Sequence, residues 1–247
     1  MAGGARERFN IAMTEQQLPH DVDHTHANVT GGWLRAATFG AMDGVVSNTA
    51  LIAGVAASAD AHTVVLSGVA GLLAGAFSMA LGEYTSVTTA NEQIDSEVHV
   101  EKRAFRQNPE AEQAELTVMF QDMGLSGETA AKAAEELHQD EARAMKFHLV
   151  QELGVDPTDK PSPNVAAFSS FVMFAVGAIV PLIPYLLGHE SLWLGLIFGG
   201  VGLLLAGGAA AYITKKSIWV GALRQLAFGL IAIAATYAVG DLIGSVV

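Results

Sequence analysis

The sequence predicts an all-α, polytopic membrane protein, and its composition and apolar runs carry that prediction. Of its 247 residues, 51% are hydrophobic and only 15% are charged, whereas a soluble domain carries about 25% charged residues. Runs of roughly 20 apolar residues recur, and each is long enough to cross a hydrocarbon core of about 30 Å. These features exclude a secreted or fibrous protein.

Five apolar segments are long enough to span the bilayer. The first two are joined by a short turn, and the last three follow a proline-rich linker. We predict the spans at 33–57, 63–82, 165–187, 192–213 and 221–246. The second span continues to Arg106 without glycine breaks or proline after Glu83, which predicts one helix of roughly 40 residues or more that extends beyond the bilayer.

The region between spans two and three is acidic and too polar to cross a membrane. Residues 83–159 hold 17 of the 25 acidic residues but only 6 of the 13 basic ones, which favours cations as partners and argues against nucleic acid. Capping signals predict three helices here: the extension of span two, a helix from Asn108-Pro109 to Gly124, and a third from Ser126 to Leu153. The predicted domains are therefore a polar tail (1–32), spans one and two (33–87), an acidic three-helix metal-binding domain (88–160) and spans three to five (161–247).

The distribution of basic residues predicts the orientation. The short turns at 58–62 and 188–191 contain no lysine or arginine, and the basic residues lie on the side of the tail, the acidic domain and the connection that carries Lys215, Lys216 and Arg224. By the positive-inside rule, the tail and the acidic domain are cytosolic and the C-terminus faces out. No cleavable signal peptide is visible, and we expect a bacterial-type cytoplasmic membrane, or a vacuolar-type membrane in a eukaryote.

Asp43 lies within the first span, where a carboxylate costs about 2.5–3.5 kcal/mol on insertion scales and is a functional candidate by default. Ser47 and Asn48 lie nearby, and the second span offers Met79 and Glu83 towards its cytosolic end. A mixture of carboxylate and thioether suits a borderline ion such as Fe²⁺ better than Mg²⁺ or Ca²⁺. The alternative is that Asp43 only bonds a neighbouring helix and the methionine only fills a gap.

Potential metal ligands also recur at helical spacing in the acidic domain. The chain has no cysteine, so any metal must be held by carboxylate, imidazole or thioether groups. A solvated acidic face is the alternative for any single glutamate, but like charges one turn apart repel and favour a bound cation. The candidates are Glu97 and Glu101 on the first helix, Glu112, Glu115, Met119 and Asp122 on the second, and His138, Glu141, Met145, His148 and Glu152 on the third. A weaker His/Asp cluster at 20–26 is typical of a solvated linker.

Several motifs together resemble the vacuolar iron transporter family. They are LRAATFGAMDGVVSN at 34–48, SMALGEYTSV at 78–87, ELG at 152–154, AAFSSFVMFAVGAIVP at 166–181 and GALRQLAFGLIAIAATYAVG at 221–240. The resemblance covers nearly everything except the tail.

This resemblance implies a homodimer of five-span subunits that exports Fe²⁺, and in some members Mn²⁺, from the cytosol in exchange for protons. It implies a path at the dimer interface where Asp43 and Met79 face each other across the subunits. It also implies that Glu112, Glu115 and Glu152 gather metal in the cytosol. This chain departs from the family pattern at His148 and Leu149, where members can carry two methionines, and the His148 imidazole is a candidate nitrogen ligand in place of sulfur.

The sequence thus predicts a non-enzymatic, proton-coupled Fe²⁺ exporter that acts on divalent ions and protons in a lipid membrane. No phosphate-binding loop, hydrolase elbow or catalytic triad is visible. One alternative is a membrane-anchored iron-binding or ferroxidase module, against which the intramembrane Asp43 counts. A channel is another, and it predicts transport that is independent of a pH gradient.

Overall fold

A computed structural model of the chain describes residues 32–154 and 160–244, without the side chains of residues 152 and 153. The predicted polar tail, with its His/Asp cluster, lies outside the described residues except for Gly32. The described part contains helices and no strand, which confirms the all-α prediction. Its helices are α1 (Trp33–Ala56), α2 (Ala61–Gln107), α3 (Pro109–Asp122), α4 (Gly127–His138), α5 (Glu141–Leu153), α6 (Pro163–Ile179), α7 (Ile183–Leu186), α8 (Leu192–Ile213) and α9 (Ile218–Gly244).

Within the residues that the structure describes, five helical segments are long and apolar enough to cross a membrane, which confirms the predicted number of spans. They are α1, the first part of α2, α6 with α7, α8, and α9. The long second helix is also confirmed, because α2 runs unbroken for 47 residues, or about 70 Å at 1.5 Å per residue. The largest boundary differences are small: α2 begins at Ala61 and α9 at Ile218.

The third span ends in an irregular turn that its prolines explain. A 3₁₀ turn at Val180–Leu182 separates α6 from the short α7. Pro181 and Pro184 each lie near the start of one of these elements, where a missing backbone N–H costs no helical hydrogen bond. The span therefore continues across the break.

Helix α1 lies at the centre of the membrane region and packs against α2, α6, α8 and α9. Its crossing with α6 depends on glycine. A Cβ at Gly44 would lie 2.2 Å from the Phe174 carbonyl oxygen, and one at Gly177 would lie 2.3 Å from the Ala41 carbonyl oxygen. Because only a hydrogen fits at these points, the two backbones approach closely, as in small-residue contacts between membrane helices.

The acidic region differs from prediction in one respect. The single helix predicted from Ser126 to Leu153 is wrong, since α4 ends at His138 and α5 begins at Glu141. The Asp140 side chain accepts hydrogen bonds from the backbone N–H groups of Ala142 and Arg143, at 3.1 and 3.2 Å. An aspartate that caps a new helix in this way interrupts the preceding one. The predicted ligand stripe is therefore divided between two helices.

Candidate metal centres

Three potential ligands meet in the acidic region, and we call them the Glu–His cluster: Glu101 on α2, Glu112 on α3 and His148 on α5. One ligand atom from each lies within 4.8 Å of the others. His148 Nδ1 is 3.5 Å from Glu101 Oε1 and 3.9 Å from Glu112 Oε2. Three separate helices therefore direct two carboxylates and an imidazole to one point.

The cluster is buried although its members are polar. His148 is 0% exposed, Glu101 8% and Glu112 9%. Phe105 packs against the cluster, and its ring makes an edge contact with the His148 imidazole at a centroid distance of 5.2 Å. The His138 ring stacks on Phe105 at 5.3 Å. The break at Asp140 thus brings both histidines to one aromatic ring.

Burial changes the proton affinity of these groups. It raises the pKa of Glu112, and the charge of Glu115 raises this pKa further, while a hydrogen bond with Glu101 opposes the change. Burial also lowers the pKa of His148, against the opposing effect of Glu115. A carboxyl group with a raised pKa keeps its proton to a higher pH, and a cation competes with that proton for the same oxygen atoms.

The remaining predicted ligands of this region are placed differently. Glu115 is exposed, but its charge acts on both Glu112 and His148. Glu97 is partly buried one turn before Glu101 and lies outside the cluster. Met145 packs on the apolar core around Phe105, as expected of a methionine that fills a gap. The side chain of Glu152 lies outside the described part.

A second group of donors lies in the membrane region, and we call it the Asp43 pocket. It has a volume of about 380 Å³ and is bounded by α1, α2 and α6. Asp43 and Met79 of the same chain both line it. The other lining residues are Ser47, Asn48, Leu51, Gly71, Gly75, Ser78 and Phe174.

Glu83, the third predicted membrane-side residue, does not line the Asp43 pocket. It lies one turn beyond Met79 on α2 and is 7% exposed. Its Oε2 accepts a hydrogen bond from Arg35 Nη2 on α1 at 2.9 Å. This ion pair joins the ends of the first two spans on the side of the acidic region.

Sequence reasoning missed three residues that shape these sites. Phe105 carries no signal in the sequence beyond its apolar character, and Arg35 carries none beyond its charge. Asn48 stands five residues after Asp43 in the sequence. The signal was present for Asn48, since a buried amide within a span needs polar partners as much as a carboxylate does.

The two sites are linked by one helix. Met79 and Glu101 are 22 positions apart on α2, which corresponds to about 33 Å along an unbroken helix. The Glu–His cluster offers oxygen and nitrogen, and the Asp43 pocket offers oxygen and sulfur. Both donor sets suit borderline divalent transition ions.

Comparisons with known proteins agree with this architecture. The profile of the VIT family matches residues 34–241. A protein named vacuolar iron transporter from Acanthamoeba castellanii is 35% identical over 86% of this chain and 79% of its own length. Vacuolar iron transporter 1 from Eucalyptus grandis is 28% identical over 99% of this chain and its whole length, and vacuolar iron transporter homolog 2 from Oryza sativa is 33% identical over 84% and 88%. The chain is therefore a member of the VIT family.

Proposed function

We propose that this integral membrane protein exports Fe²⁺ from the cytosol in exchange for protons, with Mn²⁺ as an alternative substrate. The observation that carries the proposal is the Asp43 pocket, where a carboxylate and the thioether of Met79 face one space within the membrane spans. Intramembrane carboxylates of this kind mark ion pathways and proton relays. The names of the relatives favour iron as the ion.

The direction of transport follows from the proposed orientation. The turns after α1 and before α8 contain no lysine or arginine, whereas Arg35, Lys160 and Lys215 lie at the opposite ends of the spans. The positive-inside rule assigns the latter side, and with it the Glu–His cluster, to the cytosol. The membrane is the cytoplasmic membrane of a bacterial-type cell, or a vacuolar-type membrane in a eukaryote.

The Glu–His cluster serves as the capture site in this proposal. Three helices hold its ligands in advance, so an ion binds with little loss of side-chain freedom. Glu97, Glu115 and Met145 attract the ion or hand it over, and we assign the same role to Glu152. Glu83 then lies between the cluster and Met79 along α2, and Asp43 receives the ion.

Proton exchange takes place at Asp43. One carboxylate does not hold a divalent ion and a proton equally well at the same time, so protonation from the outer side releases the ion. An ion that moves from Glu83 past Met79 to Asp43 meets carboxylate, thioether and carboxylate in turn. The chemistry is transport rather than catalysis.

We also propose that the working unit is a homodimer in a lipid bilayer. In the most apolar stretch of α2, only 17% of the residues are buried within the described part of one subunit. Exposed apolar residues follow this helix at spacings of three and four, and they include Leu66, Leu73 and Phe77. In this proposal a second subunit covers this face and brings two copies of Asp43 and Met79 to one path.

The test is Fe²⁺ flux into proteoliposomes with and without an imposed pH gradient. We expect gradient-dependent flux for the intact protein and none for Asp43→Ala. Ser47→Ala is the matched control, because the Ser47 hydroxyl lines the same pocket but donates to the Asp43 backbone carbonyl.

The other outcomes distinguish the alternatives. Flux that ignores the pH gradient would favour a channel. An absence of flux together with tight Fe²⁺ binding by the full chain would favour a membrane-anchored iron-binding or ferroxidase module. Retained flux in Asp43→Ala would overturn the proposed role of the pocket.

A further inference from the structure

We propose that the side-chain oxygen of Asn48 contacts the cation in the Asp43 pocket and helps to set which ions pass. This inference rests on the proposed transport function and adds a ligand to it. Asn48 is 2% exposed, lies on α1 and lines the pocket with Asp43 and Met79.

The orientation of the Asn48 amide is fixed by its nitrogen. Nδ2 donates a hydrogen bond to the Ala178 backbone carbonyl oxygen at 2.6 Å. The reverse orientation would place two acceptor oxygens at that distance, so it is excluded. The amide oxygen must therefore point away from α6.

That amide oxygen has no hydrogen-bond donor within the part of the chain that the structure describes, although it is fully buried. An unsatisfied buried carbonyl is costly, and each such group in a folded protein needs an explanation. A cation, or a water that the cation carries, would supply the missing partner. Asn48 Oδ1 is therefore a candidate ligand for a cation.

The opposite wall of the pocket carries no side chain at its point nearest to the amide. On α2, Gly71 faces Asn48, and a Cβ there would lie 3.3 Å from Asn48 Oδ1 and 2.4 Å from Leu51 Cδ2. A side chain at position 71 would collide with Leu51 and press on the amide oxygen. The glycine therefore places neither a hydrogen-bond donor nor a bulky group beside that oxygen.

Position along the helix gives Asn48 a distinct place in the path. It is five residues after Asp43 on α1, which corresponds to about 7.5 Å along the helix. In the proposed orientation this step leads away from the Glu–His cluster. The Asn48 oxygen is therefore the contact that an ion meets after Asp43, and a pocket of about 380 Å³ accommodates the ion with some of its water.

A neutral oxygen suits this position better than a second carboxylate. Conduction requires sites that attract an ion and still release it. Asp43 is the only acidic residue among the described residues that line the pocket, so an amide adds a ligand without adding charge. Oxygen donors favour ions such as Mn²⁺ and Fe²⁺, whereas sulfur donors favour softer ions such as Cd²⁺.

Asn48→Cys tests this inference, because the chain contains no cysteine of its own. We expect the ratio of Cd²⁺ to Mn²⁺ flux in proteoliposomes to rise by about tenfold or more, since a soft ligand replaces a hard one. Thr49→Cys is the matched control. Thr49 is the next residue and is fully buried, but it packs against Gly199 on α8 and does not line the pocket.

A second variant covers a failure of Asn48→Cys to fold. Asn48→Ala removes the oxygen and adds no donor, so we expect the KM for Mn²⁺ to rise about tenfold and the KM for Cd²⁺ to change less. A change in ion preference separates a ligand from a residue that only supports packing.

Each remaining outcome is decisive. Unchanged ion ratios in a folded, transporting Asn48→Cys or Asn48→Ala protein would overturn this inference and leave the transport function intact. An equal shift in Thr49→Cys would also overturn it. No flux of any divalent ion through the unmodified protein would overturn the proposed function itself.

Discussion

The Glu–His cluster and the Asp43 pocket are both proposed cation sites, and they are built differently. In the cluster, three helices bring Glu101, Glu112 and His148 together around an aromatic ring, and all three residues are buried. Among the described residues that line the pocket, acidic charge comes from Asp43 alone, and glycines on α2 let Leu51 and Phe174 approach that helix closely. The first arrangement favours tight capture and the second favours release, and the two combined suit transport.

Removing the pocket's charge should have the largest effect. We expect Asp43→Asn, which keeps the shape of the side chain, to lower Fe²⁺ flux by about 100-fold or more, the equivalent of about 3 kcal/mol of lost binding. Binding of Fe²⁺ to the Glu–His cluster should stay at its original affinity, as measured by calorimetry on the full chain. Loss of both properties together would contradict the separation of the two sites.

Removing the imidazole of the cluster should have the next largest effect. We expect His148→Ala to weaken equilibrium Fe²⁺ binding by about 10- to 100-fold, since about 1.4 kcal/mol corresponds to each factor of ten. Flux at saturating Fe²⁺ should persist, because the pocket is unchanged.

Two control variants accompany His148→Ala, one for the packing change at position 148 and one for the loss of a carboxylate elsewhere in the acidic region. His148→Met fills the space and offers a thioether, so it should recover part of the affinity. Glu128→Gln removes an exposed carboxylate that pairs with Lys132, and it should leave binding unchanged. Equal losses in all three variants would contradict a specific role for position 148.

Acidification should weaken binding at the cluster more gradually. Because burial and Glu115 raise the pKa of Glu112, this carboxyl keeps its proton to a higher pH than an exposed glutamate does. A cation displaces the proton, so affinity should fall by at most about tenfold per pH unit as the pH drops through that pKa, and level off above it. His148 contributes little near neutral pH, because its lowered pKa keeps it uncharged.

Calorimetry in buffers of different ionisation enthalpy measures the proton released on binding. Glu112→Gln should bind the ion more weakly and release less of a proton. Affinity that does not change with pH in the unmodified protein would show that Glu112 carries no proton before the ion arrives.

Breaking the ion pair between the two sites should have the smallest effect. Arg35→Gln leaves the Glu83 carboxylate buried without its 2.9 Å partner, and we expect a loss of about 1–2 kcal/mol in stability. The melting temperature of the detergent-solubilised protein measures this. Lys132→Gln breaks an exposed pair instead and should leave the melting temperature unchanged. An equal response from both variants would contradict the importance of burial.

The sequence was most informative where one strong physical constraint acts alone. A span must be apolar for about 20 residues, and the predicted span at 192–213 matches α8 at both ends. Prediction was least reliable where weak signals compete. The break at Asp140 depends on one capping side chain. The spacing of the apolar residues gives no sign of this break.

The candidate ligands were predictable by type but not by position. Helical spacing placed Glu97, Glu101, Glu112 and Glu115 on common faces, yet the structure buries only Glu101 and Glu112 at the cluster. Residues one turn apart lie on the same face of a helix, so their spacing does not show which of them contacts the neighbouring helix. That choice depends on packing around Phe105 and Leu116.

The sequence by itself determined the helical class, the five spans, the long second helix and the kinds of ligand available, since bilayer thickness and the absence of cysteine leave few choices. Only the tertiary structure decided which ligands meet, which carboxylate is paired with Arg35, and which oxygen is left without a donor. Those outcomes depend on close approaches between segments far apart in the chain, such as Asn48 against Ala178, and no local pattern records them.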